Sequence, residues 1–117
     1  MTRLFVYGTL KRGCRSHALL ADQTYLGDAQ TEPGFQLYRL EGYPGLVRAP
    51  HTSDVVTGEV YFVDDTCLRA LDEFEGLPEG LYTREPISLQ SPHTPAHSYV
   101  YARSVEGRPL LDGTWRE

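Results

Sequence analysis

The sequence predicts an α+β domain. In it a twisted or barrel-like sheet of six or seven short strands carries one packed helix, with a second small helix near the start. Three observations point there. The first apolar run, Arg3 to Tyr7, barely alternates, as a strand buried on both faces does. Eight prolines and 11 glycines are spread through the 117 residues and cut the chain into many short pieces. The apolar spacing changes to threes and fours only between Asp64 and Phe74.

The elements follow in order. Arg3 to Tyr7 is the first strand, and Gly8 to Cys14 is the loop that follows it. A short helix runs from about Ser16 to Ala21, with Ser16 as its N-cap. Thr24 to Thr31 and Phe35 to Leu40 are strands separated by a Pro33-Gly34 turn. Gly45 to Arg48 is a short strand after a Tyr43-Pro44 turn, and Thr57 to Val63 alternates loosely as another. Cys67, Leu68, Leu71 and Phe74 then share one helical face, with Asp64 or Asp65 capping its start and Gly76 stopping its end. Leu81 to Leu89 and His97 to Arg103 are the last two strands. Trp115 in the tail is expected to cover core rather than to cap a pocket.

The size suits one domain over residues 1–117. A chain of this length buries enough surface to fold without metal or disulfide support. Eleven basic against 16 acidic residues give a net charge of −5, which argues against a nucleic-acid partner. Ten of the 11 basic residues are arginine, a bias that carries no functional reading. Cys14 and Cys67 make no disulfide framework and no CxxC pair, so a reducing cytoplasm is expected. The N-terminal apolar run is too short for a signal peptide or a membrane helix, so no membrane association is expected.

Two stretches can carry chemistry. In Val6-Tyr7-Gly8-Thr9-Leu10 a buried strand runs into a glycine turn, where successive N–H groups can gather an anion. A plain strand-to-loop turn uses the same residues, and the spacing of a phosphate loop is absent. In Leu71-Asp72-Glu73-Phe74-Glu75-Gly76, Glu75 falls at the negative end of a helix, with Asp72, Glu73 and Glu79 close in sequence. Both effects, and any burial, raise a carboxyl pKa toward the range where it can take and return a proton. A solvated acidic helix end has the same sequence. Tyr82 and Arg84 share one strand face, where Arg84 can hold a carboxylate, balance Glu75 or face solvent. Cys14 and His17 have the spacing of a thiolate–imidazole pair near a helix start, which lowers a thiol pKa. His51, His93 and His97 show no metal-ligand spacing.

Taken in order, these segments resemble the γ-glutamylcyclotransferase-like superfamily, nearest its γ-glutamylamine cyclotransferase branch and small bacterial relatives. The matching pieces are Phe5-Val6-Tyr7-Gly8-Thr9-Leu10-Lys11-Arg12-Gly13, Gly58-Glu59-Val60-Tyr61, Leu71 to Gly76, Leu81-Tyr82-Thr83-Arg84 and Gly113-Thr114-Trp115. A lone YGTL is weak; the ordered set across nearly the whole chain is specific. The resemblance implies a compact mixed β-barrel flanked by helices, with a cavity at the YGTL loop. It implies Glu75 as acid/base and Tyr7, Gly8, Thr9 and Leu10 as the substrate-binding segment. Tyr82 is similar to a site-facing tyrosine.

The implied reaction is release of 5-oxoproline and a free amine from a small-molecule γ-glutamyl amide, with no metal or organic cofactor. Two other readings stand beside it. One is a non-catalytic module holding an amino-acid-like ligand. The other is cyclotransfer on a γ-glutamyl peptide such as glutathione. Sequence pattern sets neither the leaving amine nor the oligomeric state. The enzyme readings expect Glu75 to face the Gly8–Leu10 backbone across one cavity.

Overall fold

β1 (Thr2–Val6) forms the middle of the sheet in the computed structural model, which describes residues 1–117. Its side chains alternate between two cores. Leu4 and Val6 join a cluster under the helix, and Phe5 joins Tyr7 in a second cluster on the opposite face. Leu4 and Phe5 are fully buried, as the unbroken apolar run predicts. The remaining strands are β2 (Thr24–Gln30), β3 (Phe35–Arg39), β4 (Pro44–Arg48), β5 (Thr57–Val63), β6 (Tyr82–Ile87) and β7 (Ala96–Tyr101). Each lies within a residue or two of its expected place. Trp115 is buried in the Phe5 cluster, as expected of a core cover.

The pairing order is β2-β5-β1-β7-β4-β3. β1 and β5 are antiparallel from Thr2↔Val63 to Val6↔Glu59, and β5 pairs antiparallel with β2 through a bulge between Tyr25 and Gly27. β7 is the branch point. One of its edges is taken along its whole length by antiparallel β6, from Tyr82↔Tyr101 to Ile87↔Ala96. The other edge is shared by two parallel neighbours, β1 at Leu4↔His97 and then β4 at Leu46↔Val100. The sheet therefore forks where β1 and β4 part.

This corrects the expected barrel. A closed ring needs each strand to give one edge to each of two neighbours. Here β7 divides one edge between two strands, which splays the sheet. Beyond the ladders of β2 with β5 and of β3 with β4, isolated bridges form at Thr31↔Leu89, just past β2, and at Tyr38↔Leu110. The architecture is a mixed α+β fold with an open, forked seven-stranded sheet.

The helix α1 (Asp65–Phe74) starts where Asp64 accepts a 2.8 Å bond from the Cys67 N–H. It buries Leu68 and Leu71. It ends in a Schellman motif: the Gly76 N–H donates to the Glu73 carbonyl at 3.0 Å and the Leu77 N–H to the Asp72 carbonyl at 3.1 Å. Gly76 supplies the left-handed φ of +71° that this ending requires. Phe74 departs from the expected buried face and is 51% exposed. The early helix is a single 3₁₀ turn, His17–Leu20, and Ser16 makes no capping bond. This segment bends back on the loop instead. Ser16 N–H donates to Thr9 O at 2.9 Å, and His17 Nδ1 lies 2.9 Å from Leu10 O.

Candidate active site

The chain leaves β1 at Val6 and crosses the fork as Tyr7-Gly8-Thr9-Leu10. No protein acceptor takes the N–H of Gly8, Thr9 or Leu10, so three successive donors remain available. Gly8 does not have a positive φ. Its glycine is needed for space: a Cβ there would stand 2.6 Å from Pro44 Cγ. The loop thus lies directly against the first residue of β4.

Tyr7 sits in the fork itself. Its hydroxyl donates to Tyr99 O at 2.6 Å and accepts from the Leu46 N–H at 3.2 Å, so it ties β7 to β4 just beyond β1. Burial holds its pKa well above the usual tyrosine value, so the hydroxyl stays protonated. Tyr82 does a similar job from β6, donating to Pro44 O at 2.7 Å. Both rings line the cavity, while both hydroxyls are spent on backbone. Tyr7→Phe should therefore cost about 1–3 kcal/mol, because it orphans a buried carbonyl and a buried N–H. Urea unfolding of the two proteins measures this.

Glu75 is the C-cap of α1, and its N–H donates to Leu71 O at 2.8 Å. Its carboxylate has no hydrogen bond or ion pair within the protein. Burial alone raises its pKa from 4.5 to about 7. The expected rise is present; of its expected causes, burial supplies it and the neighbouring acids do not. Asp72 is occupied. It accepts from Arg84 Nε at 3.0 Å, Arg84 Nη2 at 3.3 Å and the Tyr99 hydroxyl at 2.8 Å.

Tyr7, Gly8, Thr9, Leu10, Glu75 and Tyr82 all line one cavity of about 360 Å³. Chain positions 7–10, 75 and 82 meet there because the fork opens beneath the end of α1. A carboxylate able to exchange a proton near neutrality thus shares a small cavity with a row of free backbone donors. The arrangement suits binding an anionic group at one end and moving a proton at the other.

Other candidates are placed differently. Arg84 holds Asp72 and does not reach Glu75; its Nη1 also lies 3.1 Å from His97 Nδ1. Cys14 and His17 form no side-chain pair, and burial raises the Cys14 thiol pKa rather than lowering it. No three His, Cys, Asp or Glu side chains gather as a metal site.

Two residues emerge that the sequence left unassigned. Glu59 is buried and pins the end of the loop, accepting from the Arg12 N–H at 3.0 Å and the Tyr61 hydroxyl at 2.8 Å. A charged residue within an apolar strand was the signal available for it. Asp72 anchors the last turn of α1 to β6 and β7. Arg84→Gln should slacken that anchor and lower turnover several-fold with little change in KM, measured by steady-state kinetics.

A family model described as gamma-glutamyl cyclotransferase, AIG2-like, matches residues 4–117. The gamma-glutamylcyclotransferase family protein YtfP of Escherichia coli is 38% identical over 114 residues, which cover 97% of this chain and 95% of that protein. The gamma-glutamylaminecyclotransferase of Rattus norvegicus is 38% identical over 97 residues, covering 77% of this chain and 64% of its own length. The crystal structure of an AIG2-like protein from Mus musculus superposes with a TM-score of 0.78 at 31% identity, covering 97% of this chain and 87% of that one.

Proposed function

The chain belongs to the gamma-glutamyl cyclotransferase, AIG2-like family, and from that premise we propose that it cleaves a γ-glutamylamine or related γ-glutamyl amide, releasing 5-oxoproline and a free amine. One observation carries the reading: Glu75, whose carboxylate has no partner in the protein, and Gly8 to Leu10, whose N–H groups have no acceptor, are residues lining the same cavity.

The substrate brings its own nucleophile. Its α-amine arrives as an ammonium, which cannot attack. Glu75 takes one proton from it. The nitrogen lone pair then forms the C–N bond to the γ-carbonyl carbon, closing a five-membered ring and placing negative charge on the carbonyl oxygen. As the carbonyl re-forms, the bond to the leaving nitrogen breaks, and Glu75 returns its proton to that nitrogen. The ring nitrogen, cationic after the attack, gives up its second proton, which the released amine takes up as its ammonium, so protons balance and no group stays on the protein. The backbone N–H groups hold either the α-carboxylate or the oxyanion. The cavity contributes mainly by holding the chain in a ring-closing pose, an effect worth several kcal/mol, of order 7 or more in well-oriented cases. Tyr7 and Tyr82 contribute ring faces and keep the walls in place.

The test is a panel of γ-glutamyl amines and peptides with 5-oxoproline as the common readout. Product from any amide supports the reading. No product from the whole panel overturns it, and a ligand held without turnover makes the protein a binding module.

A further inference from the structure

We infer that the amine released carries an uncharged, apolar alkyl or aryl substituent, seated on Phe74, Leu81 and Tyr43 at the edge of the cavity. This rests on the function proposed above. A leaving nitrogen must lie within hydrogen-bond reach of the group that protonates it. Its substituent therefore runs past Glu75, and the wall there is apolar. Phe74 directly precedes Glu75. Leu81 is folded against the same turn, its N–H donating to Gly76 O at 3.0 Å. Both line the cavity, as does Tyr43.

Phe74 is the informative residue. Helical spacing places it with Leu71, yet it belongs to neither core cluster and is 51% exposed. An aromatic face at a cavity edge, uncovered by the protein's own side chains, gains by covering an apolar ligand.

Charged substituents find no free counter-charge on this wall apart from Glu75 itself. Arg15 is its only cation, and it is already engaged. Its Nη1 meets Glu117 at 3.1 Å, its Nη2 donates to Gly42 O, and its backbone N–H donates to Glu117 at 2.8 Å. A terminal carboxylate would have to displace Glu117. A terminal ammonium would find only Glu75, the group that must remain free to carry the proton. A charge brought into the cavity without a partner loses its hydration uncompensated.

Three matched substrates test this: γ-glutamyl-pentylamide, and the same amide with the pentyl chain ended by an ammonium or by a carboxylate. The remote charge leaves the amide's own reactivity nearly unchanged. The pentylamide should show kcat/KM about tenfold or more above either charged partner. Phe74→Glu should lower the pentylamide value about tenfold and narrow its lead over the ammonium-ended amide. Phe74 is half-exposed, so this variant keeps the fold, and circular dichroism checks that. Equal or better turnover of a charged amide overturns the inference while the cyclotransferase function stands. An unaltered pentylamide value in Phe74→Glu overturns the seat on Phe74. Failure of all three to give 5-oxoproline overturns the proposed function, and this inference with it.

Discussion

Glu75→Gln is expected to lower 5-oxoproline formation about a hundred- to ten-thousandfold, the usual worth of a positioned acid/base group. Gln fills the same space and keeps the C-cap, but it can neither take nor return a proton. The pH profile gives a sharper readout. With a pKa raised to about 7, the carboxylate fraction falls about tenfold for each pH unit below that value. The kcat/KM profile should therefore show an acid limb near pH 7 in the parent protein. Residual activity in Glu75→Gln should lack that limb. Full activity in the variant, or an unchanged limb, assigns proton transfer elsewhere.

The same substitution should move stability in the opposite direction. Glu75 has a higher pKa in the folded protein than its ordinary 4.5. Between pH 4.5 and 7 the folded state binds its proton more tightly than the unfolded chain does. Stability from this group is therefore fully present below pH 4.5 and is lost as pH rises to about 7. Above that, the folded protein bears the whole cost of a desolvated charge, on the order of 1–3 kcal/mol. Gln carries no such cost. Glu75→Gln should thus unfold at higher urea than the parent at pH 8, with the difference vanishing near pH 4.

The largest effect on stability is expected from Gly58→Ala. A Cβ at Gly58 would stand 2.3 Å from Val6 O and 2.7 Å from Phe5 Cζ. Neither neighbour can yield. One is backbone of the central strand, and the other is a ring at 0% exposure in the core. The loss should be at least about 3 kcal/mol, through separation of β1 from β5. Gly107→Ala is the control. Its φ is +77° and no atom lies within 4 Å of the added carbon, so only the backbone conformation is penalised, by about 1 kcal/mol. A Gly58→Ala midpoint in urea close to that of the control contradicts this packing.

The strands and α1 were legible because their signals are local. β1 is an unbroken apolar run, α1 carries apolar residues at helical spacing, and Asp64 and Gly76 bracket it. The fork was not legible, since it depends on which strands share the edge of β7 and no local pattern encodes that. The capped helix expected there is a single 3₁₀ turn, because beside its own short-range bonds it is tied back to Thr9 and Leu10, and Ser16 makes no side-chain cap. At Glu75 the direction of the pKa shift was readable, and burial was among the expected causes, but the small part played by the neighbouring acids was not readable. Asp72 looks from the sequence like a repelling neighbour; Arg84 neutralises it and Tyr99 hydrogen-bonds it, from two strands that no spacing rule connects to it. Gly8 was readable as a glycine the turn needs, yet its reason, the ring of Pro44, lies in another strand.

The fork also ties activity to the completeness of folding. The cavity draws walls from β1, β4, β6, β7 and the end of α1, residues separated by up to 94 positions between Phe5 and Tyr99. Contacts of such long range form late, after the slow closure of large loops. A fragment that lacks either residues 8–10 or residue 75 lacks part of the cavity wall. Catalytic competence during refolding should therefore return only with the last tertiary contacts, making turnover a stricter gauge of the native state than secondary-structure content.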